Sequence, residues 1–204
     1  METKKVFAFD LGKVLFDFDY NIALEKIKDK IGVPMEEVNK ELFDNDFGLS
    51  FEKGELSSRE FFSLFKNTFK ANLSYEHFAD IWCNIFSVKG DVIELVKHLK
   101  NKYPLYLISN ISKLHFEYLF KEYKEVFSLF NQLILSFEVK SVKPEGKIYQ
   151  ILKDKAGVSF EDIIYIDDRK DLIVKAKDFK IQTIQFINFN QLIKDLLSLG
   201  IVVS

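Results

Sequence analysis

Four places along the chain set a reactive or ion-binding side chain at the end of a short apolar run or at the start of a helix. The first is Asp10, which closes Val6-Phe7-Ala8-Phe9 and precedes Leu11-Gly12. A buried strand that ends on a carboxylate puts it at the edge where open α/β sheets bind ligands, so Asp10 is a candidate nucleophile or metal ligand. An aspartate before Leu-Gly is also a common turn former. The second is Ser109-Asn110, after the apolar run 105–108. A hydroxyl, an amide and free backbone N–H groups at a helix entrance can hold a phosphate, or can simply cap the helix. The third is Lys143, directly before Pro144 in KSVKPEGKIY. Proline suits an early helical position, and the lysine either meets an anion or stays solvated.

The fourth is Asp167-Asp168, after the run 163–166. Adjacent carboxylates at the end of a buried strand repel each other and are hard to desolvate together. A divalent cation with a preference for hard oxygen ligands, such as Mg²⁺, relieves that conflict; a helix cap followed by a surface residue is the plainer alternative. Asp171 adds an acceptor near the same helix start.

These residues need elements to position them. Apolar runs alternate with helical periodicity from residue 90 onward, predicting helix 92–102, strand 105–109, helix 113–123, strand 133–135, helix 146–156, strand 163–167, helix 172–179, strand 182–186 and helix 189–199. Strands alternating with helices imply a parallel sheet covered on both faces. Between the opening strand and residue 88 no strand is expected. Ile22, Leu24, Ile27 and Ile31 mark one helix, 35–43 a second, and Asn45, Asp46 and Gly48 a loop. Ser57 or Ser58, with Glu60, opens a helix carrying Phe61, Phe62, Leu64 and Phe65, and Ser74 opens one through Phe78, Ile81, Trp82 and Phe86. The expected fold is α/β, a Rossmann-like three-layer core with a parallel sheet (1–17 and 88–204) and a small all-helical cap (18–87) inserted after the first strand. The cap's aromatics read as its own core.

Composition narrows the function. The 204 residues can hold one sizeable core and a small insertion. A net charge of −2, from 29 basic and 31 acidic residues, gives no electrostatic reason to expect nucleic acid or an anionic membrane as partner. A small soluble substrate fits better, with the protein a monomer or weak homodimer. Cys83 is the only cysteine, which leaves no intrachain disulfide or thiolate metal site. Lys4 and Lys5 precede apolar residues, but Asp10 and Lys13 interrupt them and no cleavage site follows, so no secretion signal is read. No window approaches the roughly 18 apolar residues of a membrane helix. A cytoplasmic location is expected.

Together these residues resemble the haloacid dehalogenase-like hydrolase superfamily. FDLGKVLFD looks like its first motif, LISN its second, KPEGKIY its third and IDDRKD its fourth. More narrowly, DLG and the GE-S and LSYE stretches resemble the bacterial glucose-1-phosphatase branch. The resemblance implies a Mg²⁺-dependent phosphatase acting on a small phosphomonoester such as a hexose 1-phosphate. It implies that Asp10 is the nucleophile and that Asp10, the Gly12 carbonyl and Asp168 hold Mg²⁺, with Asp167 and Asp171 behind them. Leu11, Gly12, Ser109, Asn110 and Lys143 would bind the phosphoryl group. Glu55 and Arg59, in GELSSR, are the expected selectors of substrate in the cap. The chain departs from the pattern at Gly12, where most such phosphatases carry a second aspartate as general acid/base, and at Lys13, Leu172 and Lys180. A catalytically weak relative that only binds a phosphorylated ligand or protein partner, or a haloacid dehalogenase, is the alternative.

Overall fold

The first strand, β1 (Val6–Phe9), is buried on both sides and lies at the centre of a five-stranded sheet. The computed structural model describes residues 5–44 and 46–203, apart from the side chains at 43, 44 and 46; Lys4 and Asn45 lie outside these residues. After β1 come β2 (Phe16–Phe18), α1 (Tyr20–Ile27), α2 (Met35–Asn39), α3 (Leu49–Glu52), α4 (Ser58–Thr68), α5 (Tyr75–Cys83) and β3 (Phe86–Val88). The chain continues through α6 (Gly90–Lys100), β4 (Leu105–Ser109), α7 (Lys113–Glu122), α8 (Lys124–Phe127), β5 (Gln132–Leu135), α9 (Ser136–Val139) and α10 (Gly146–Ala156). It closes with β6 (Ile163–Asp167), α11 (Lys170–Lys177), β7 (Gln182–Gln185) and α12 (Phe189–Ser198).

The sheet runs β5-β4-β1-β6-β7 and is parallel throughout. Side chains alternate across it with period two. Phe7, Phe9, Leu107 and Ile166 face a core that includes Val92 and Val96 of α6, Leu119 of α7 and Leu192 of α12. Val6, Ala8, Ile108 and Tyr165 face a second, with Ile148 and Leu152 of α10 and Ile173 of α11. This is the expected Rossmann-like three-layer α/β fold. From β1 the chain winds outward through β4 to β5 on one side and then crosses back to β6 and β7 on the other, so a crevice opens at the carboxyl ends of β1, β4 and β6. Asp10 stands at that edge.

Residues of α1 to α5 build a third core from Leu24, Ile27, Phe61, Phe65, Phe78 and Trp82, which Leu114 of α7 joins. Its helices start where the capping residues stand. Ser57 Oγ accepts from the Glu60 N–H at 3.3 Å while the Glu60 carboxylate accepts from the Ser57 N–H at 2.8 Å, a reciprocal capping box. Ser74 caps α5 by accepting from the His77 N–H.

The structure corrects several expectations. The insertion is entered and left through an antiparallel ribbon, with Phe16 opposite Val88 and Phe18 opposite Phe86. Strands of three residues carry too little alternation to be seen, and their pairing is remote in sequence. Ile22 and Leu64 are exposed. Ile22 lies two residues before Leu24, which turns it away from the face that Leu24 and Ile27 bury. The helix expected over 35–43 gives way to a π turn at Lys40–Asp44, and beyond it a 3₁₀ turn at Asp46–Gly48 leads into α3. Pro144 precedes the α10 N-cap, Glu145, rather than sitting in the helix, and the Lys143–Pro144 peptide is cis. No helix among the described residues is long and apolar enough to cross a membrane.

Candidate active site

The carboxyl ends of β1, β4 and β6 bring Asp10, Ser109-Asn110 and Asp167-Asp168 together, and the loop before α10 adds Lys143. The Asp10 N–H continues the ladder by donating to the Ile166 carbonyl at 2.9 Å. Lys143 is 3 % exposed, and its Nζ donates to Asp10 Oδ1 at 2.6 Å and to Asp167 Oδ2 at 2.7 Å, with the Ile108 carbonyl at 3.2 Å. The solvated alternative for this lysine is therefore excluded. Asn110 holds it from behind: Oδ1 accepts from the Lys143 N–H at 2.7 Å and Nδ2 donates to the Lys143 carbonyl at 2.9 Å.

The two adjacent aspartates differ in what they already hold. Both Asp167 oxygens are engaged, Oδ2 by Lys143 and the Tyr165 hydroxyl and Oδ1 by the Arg169 N–H at 2.8 Å. Among the described residues only its own backbone N–H reaches the Asp168 carboxylate. Burial pushes the Asp10 carboxyl up to about 7, against the Lys143 charge, and the neighbouring Asp167 adds to the rise. Burial and the Asp167 charge also raise Asp168. Burial alone would lower Lys143, but Asp10 and Asp167 outweigh it and keep the ammonium charged.

Asp10, Asp167 and Asp168 each offer an oxygen within 4.8 Å of the others. Three carboxylates against one ammonium leave an excess of negative charge among hard oxygen donors, which suits a small divalent cation. Asp167 already accepts three hydrogen bonds, so Asp10 and Asp168 have the greater acceptor capacity left for it.

Gly12 borders the same cavity, and a Cβ there would lie 2.8 Å from the Phe18 ring. Phe18 thus fills the space into which an aspartate side chain would begin. Lys13, at φ 58°, turns its amine onto Asp17 Oδ1 (2.5 Å) and the Phe18 carbonyl (2.6 Å). Leu11, Gly12, Ser109 and Asn110 line an adjoining cavity.

Asp171 is not joined to the aspartate cluster: its carboxylate pairs with Arg169 Nη2 at 2.6 Å, and both side chains are more than half exposed. Glu55 is exposed, and Arg59 lies over the Tyr75 ring beside Glu76. Arg59 borders a separate cavity with Ser57, Lys113 and Lys140, away from Asp10. The glutamate that reaches the Asp10 cavity is Glu52, three residues earlier, which the sequence reading missed. FEKGE does contain both, but Gly54 at φ +67° turns the chain between them. His115 was missed as well. It is buried, its Nε2 lies 3.2 Å from the Trp82 carbonyl, and desolvation pushes it down to about 4.

The family model of the haloacid dehalogenase-like hydrolases matches residues 4–176. A HAD family enzyme from Bacteroides thetaiotaomicron is 24 % identical and superimposes with a TM-score of 0.84 over 94 % of this chain and 99 % of its own. The wild-type form of that protein in complex with magnesium and inorganic phosphate gives a TM-score of 0.80 over 93 % of this chain and 98 % of its own, again at 24 % identity. A HAD-like family hydrolase from Porphyromonas gingivalis matches at 20 % identity with a TM-score of 0.80, covering 96 % of this chain and 98 % of its own. At these identities the structural likeness is one of fold.

Proposed function

This chain belongs to the haloacid dehalogenase-like hydrolases, and on that premise we propose that it is a Mg²⁺-dependent phosphatase that forms an aspartyl-phosphate on Asp10. The observation that carries the reading is the buried Lys143 ammonium, hydrogen-bonded to Asp10 and Asp167 beside the underused carboxylate of Asp168. Asp10, the Gly12 carbonyl and Asp168 are assigned to the ion, and Asp167 to Lys143. When bound, Mg²⁺ supplies positive charge against the phosphoryl oxygens.

The residues then divide the work. Two like charges at about 4 Å repel by on the order of 4 kcal/mol at an effective dielectric near 20, so a phosphate dianion needs compensation to approach Asp10. Lys143 provides part of it and opposes the burial that raises Asp10, favouring the carboxylate that attacks phosphorus in line. Ser109, the second N–H of the Asn110 amide, and the backbone of Leu11 and Gly12 are the donors for the phosphoryl oxygens. Water then hydrolyses the acyl phosphate on Asp10. The carboxylate cluster favours this chemistry over dehalogenation, whose small substrates bring no comparable charge to balance.

Residues 18–87 act, in this reading, as a cap over the core formed by 1–17 and 88–204, limiting water access and meeting the leaving group. The substrate is a small sugar phosphate; resemblance to the glucose-1-phosphatase branch favours a hexose 1-phosphate. A phosphatase screen across sugar phosphates, with and without Mg²⁺, tests this. We expect Mg²⁺-dependent release of phosphate that Asp10→Asn abolishes with the fold intact. Phosphatase activity retained by Asp10→Asn would rule out the covalent route.

A further inference from the structure

Among the described residues, six ionisable side chains border the Asp10 cavity: Asp10, Lys13, Glu52, Lys143, Asp168 and Arg169. Five have assigned work. Asp10 is the nucleophile, Lys143 is clamped between two aspartates and Asp168 faces the cation. Lys13 is tied to Asp17, and the Arg169 guanidinium, paired with Asp171, does not release protons. Glu52 alone has no hydrogen bond or ion pair to its carboxylate among the described residues.

Its position is fixed by its main chain. The Ser136 hydroxyl donates to the Glu52 carbonyl at 2.6 Å, Lys53 pairs with Glu145 at 2.6 Å, and Lys140 Nζ donates to the Gly54 carbonyl. These contacts pin the end of α3 to the core beside the loop that carries Lys143. Glu52 also borders both neighbouring cavities, one with Leu11, Ser109 and Asn110 and one of about 130 Å³ lined by Tyr20, Phe51, Trp82 and His115. Among the described residues it is the only one common to all three, so it stands where the phosphoryl side of a substrate passes into its leaving-group side.

We infer that Glu52 is the general acid/base of this enzyme, supplied by the helical insertion in place of the aspartate absent at Gly12; the inference rests on the phosphatase reading above. In the first step the Asp10 oxygen forms a bond to phosphorus. The bond to the leaving oxygen breaks, its electron pair stays on that oxygen, and the Glu52 carboxyl gives up its proton there. In the second step the Glu52 carboxylate takes a proton from the attacking water. The new P–O bond forms as the bond between phosphorus and the Asp10 oxygen breaks, returning the electron pair to Asp10 and releasing inorganic phosphate. Burial, opposed by the charges of Lys143 and Arg169, raises the Glu52 carboxyl, and Tyr20, Phe51 and Trp82 line the cavity on its leaving-group side.

The test compares Glu52→Gln with the wild type on two probes, 4-nitrophenyl phosphate and a primary alkyl phosphate such as glucose 6-phosphate. A positioned acid is worth about 10²–10⁴-fold on a basic leaving group and little on an activated one. We expect kcat/KM to fall by about that factor on the alkyl phosphate and by less than about fivefold on the aryl phosphate. Glu52→Asp, which keeps the proton but shortens its reach, should fall between. Equal losses on both probes from an active wild type overturn the role of Glu52 and leave the phosphatase reading standing. A wild type that turns over neither probe overturns that reading, and this inference with it.

Discussion

Asn110 grips Lys143 by both main-chain polar groups, accepting from its N–H at 2.7 Å and donating to its carbonyl at 2.9 Å. The two residues lie on different elements, so this pair of hydrogen bonds transmits the position of the β4 end to the ammonium that contacts Asp10. Asn110 therefore shapes the site through Lys143 as well as through any contact with phosphate.

Asn110→Ala should misplace Lys143 without removing it. Two buried hydrogen bonds are worth about 1–3 kcal/mol, and we expect kcat/KM to drop by about tenfold or more, chiefly in kcat. Steady-state kinetics on the best substrate of the screen checks this. Unchanged kcat would mean that Asp10 and Asp167 alone hold the ammonium in place.

The neighbouring aspartates should separate metal binding from stability. Asp168→Ala is expected to weaken Mg²⁺ binding strongly while changing stability little, because among the described residues that carboxylate holds no other residue. Asp167→Ala leaves buried Lys143 and Tyr165 short of a partner and should cost about 3–5 kcal/mol of stability. Calorimetric Mg²⁺ titrations and urea unfolding of both variants measure the two effects. A larger loss of affinity in Asp167→Ala would exchange the roles.

His115 gives a pH signature. Its folded value near 4 lies below the ordinary 6.5, so the unfolded chain binds the proton first as the pH falls. The stability held by neutral, buried His115 is complete above about pH 6.5 and is lost toward pH 4, amounting to about 3 kcal/mol in all. Asp10, raised from 3.8 to about 7, contributes in the opposite sense over much of this window. The comparison must therefore be with His115→Gln, in which the histidine contribution is absent. Urea unfolding at pH 7 and pH 4.5 should show the variant losing less stability than the wild type; parallel losses would show that His115 takes its proton without unfolding.

Glu55→Ala and Arg59→Ala should leave the ranking of substrates unchanged to within about twofold, since neither side chain borders the Asp10 cavity and an exposed pair such as Arg59–Glu76 contributes about 1 kcal/mol at most. This reverses the expectation drawn from GELSSR. Relative kcat/KM across the sugar phosphates decides it: a reordered ranking would return the selector to that loop.

What the sequence by itself determined was local. Runs of four apolar residues ending in Asp10, Ser109 and Asp167 specify buried strands, because burial on both faces demands such runs and the polar residue marks where each one ends. Capping at Ser57 and Ser74 was equally legible, since a cap needs only residues within one turn. Tertiary structure decided everything that depends on two distant segments meeting. The pairing of β2 with β3 and the clamp of Asn110 on Lys143 leave no periodic trace. The choice between Glu52 and Glu55 is the sharpest case. Both flank Gly54 in one short stretch, and the one that enters the site is set by the positive-φ turn at Gly54 and by a hydrogen bond from Ser136, 84 positions along the chain. Backbone sterics and burial act within a few residues and are written in the local pattern, whereas docking is the joint outcome of surfaces that exist only once both segments have folded.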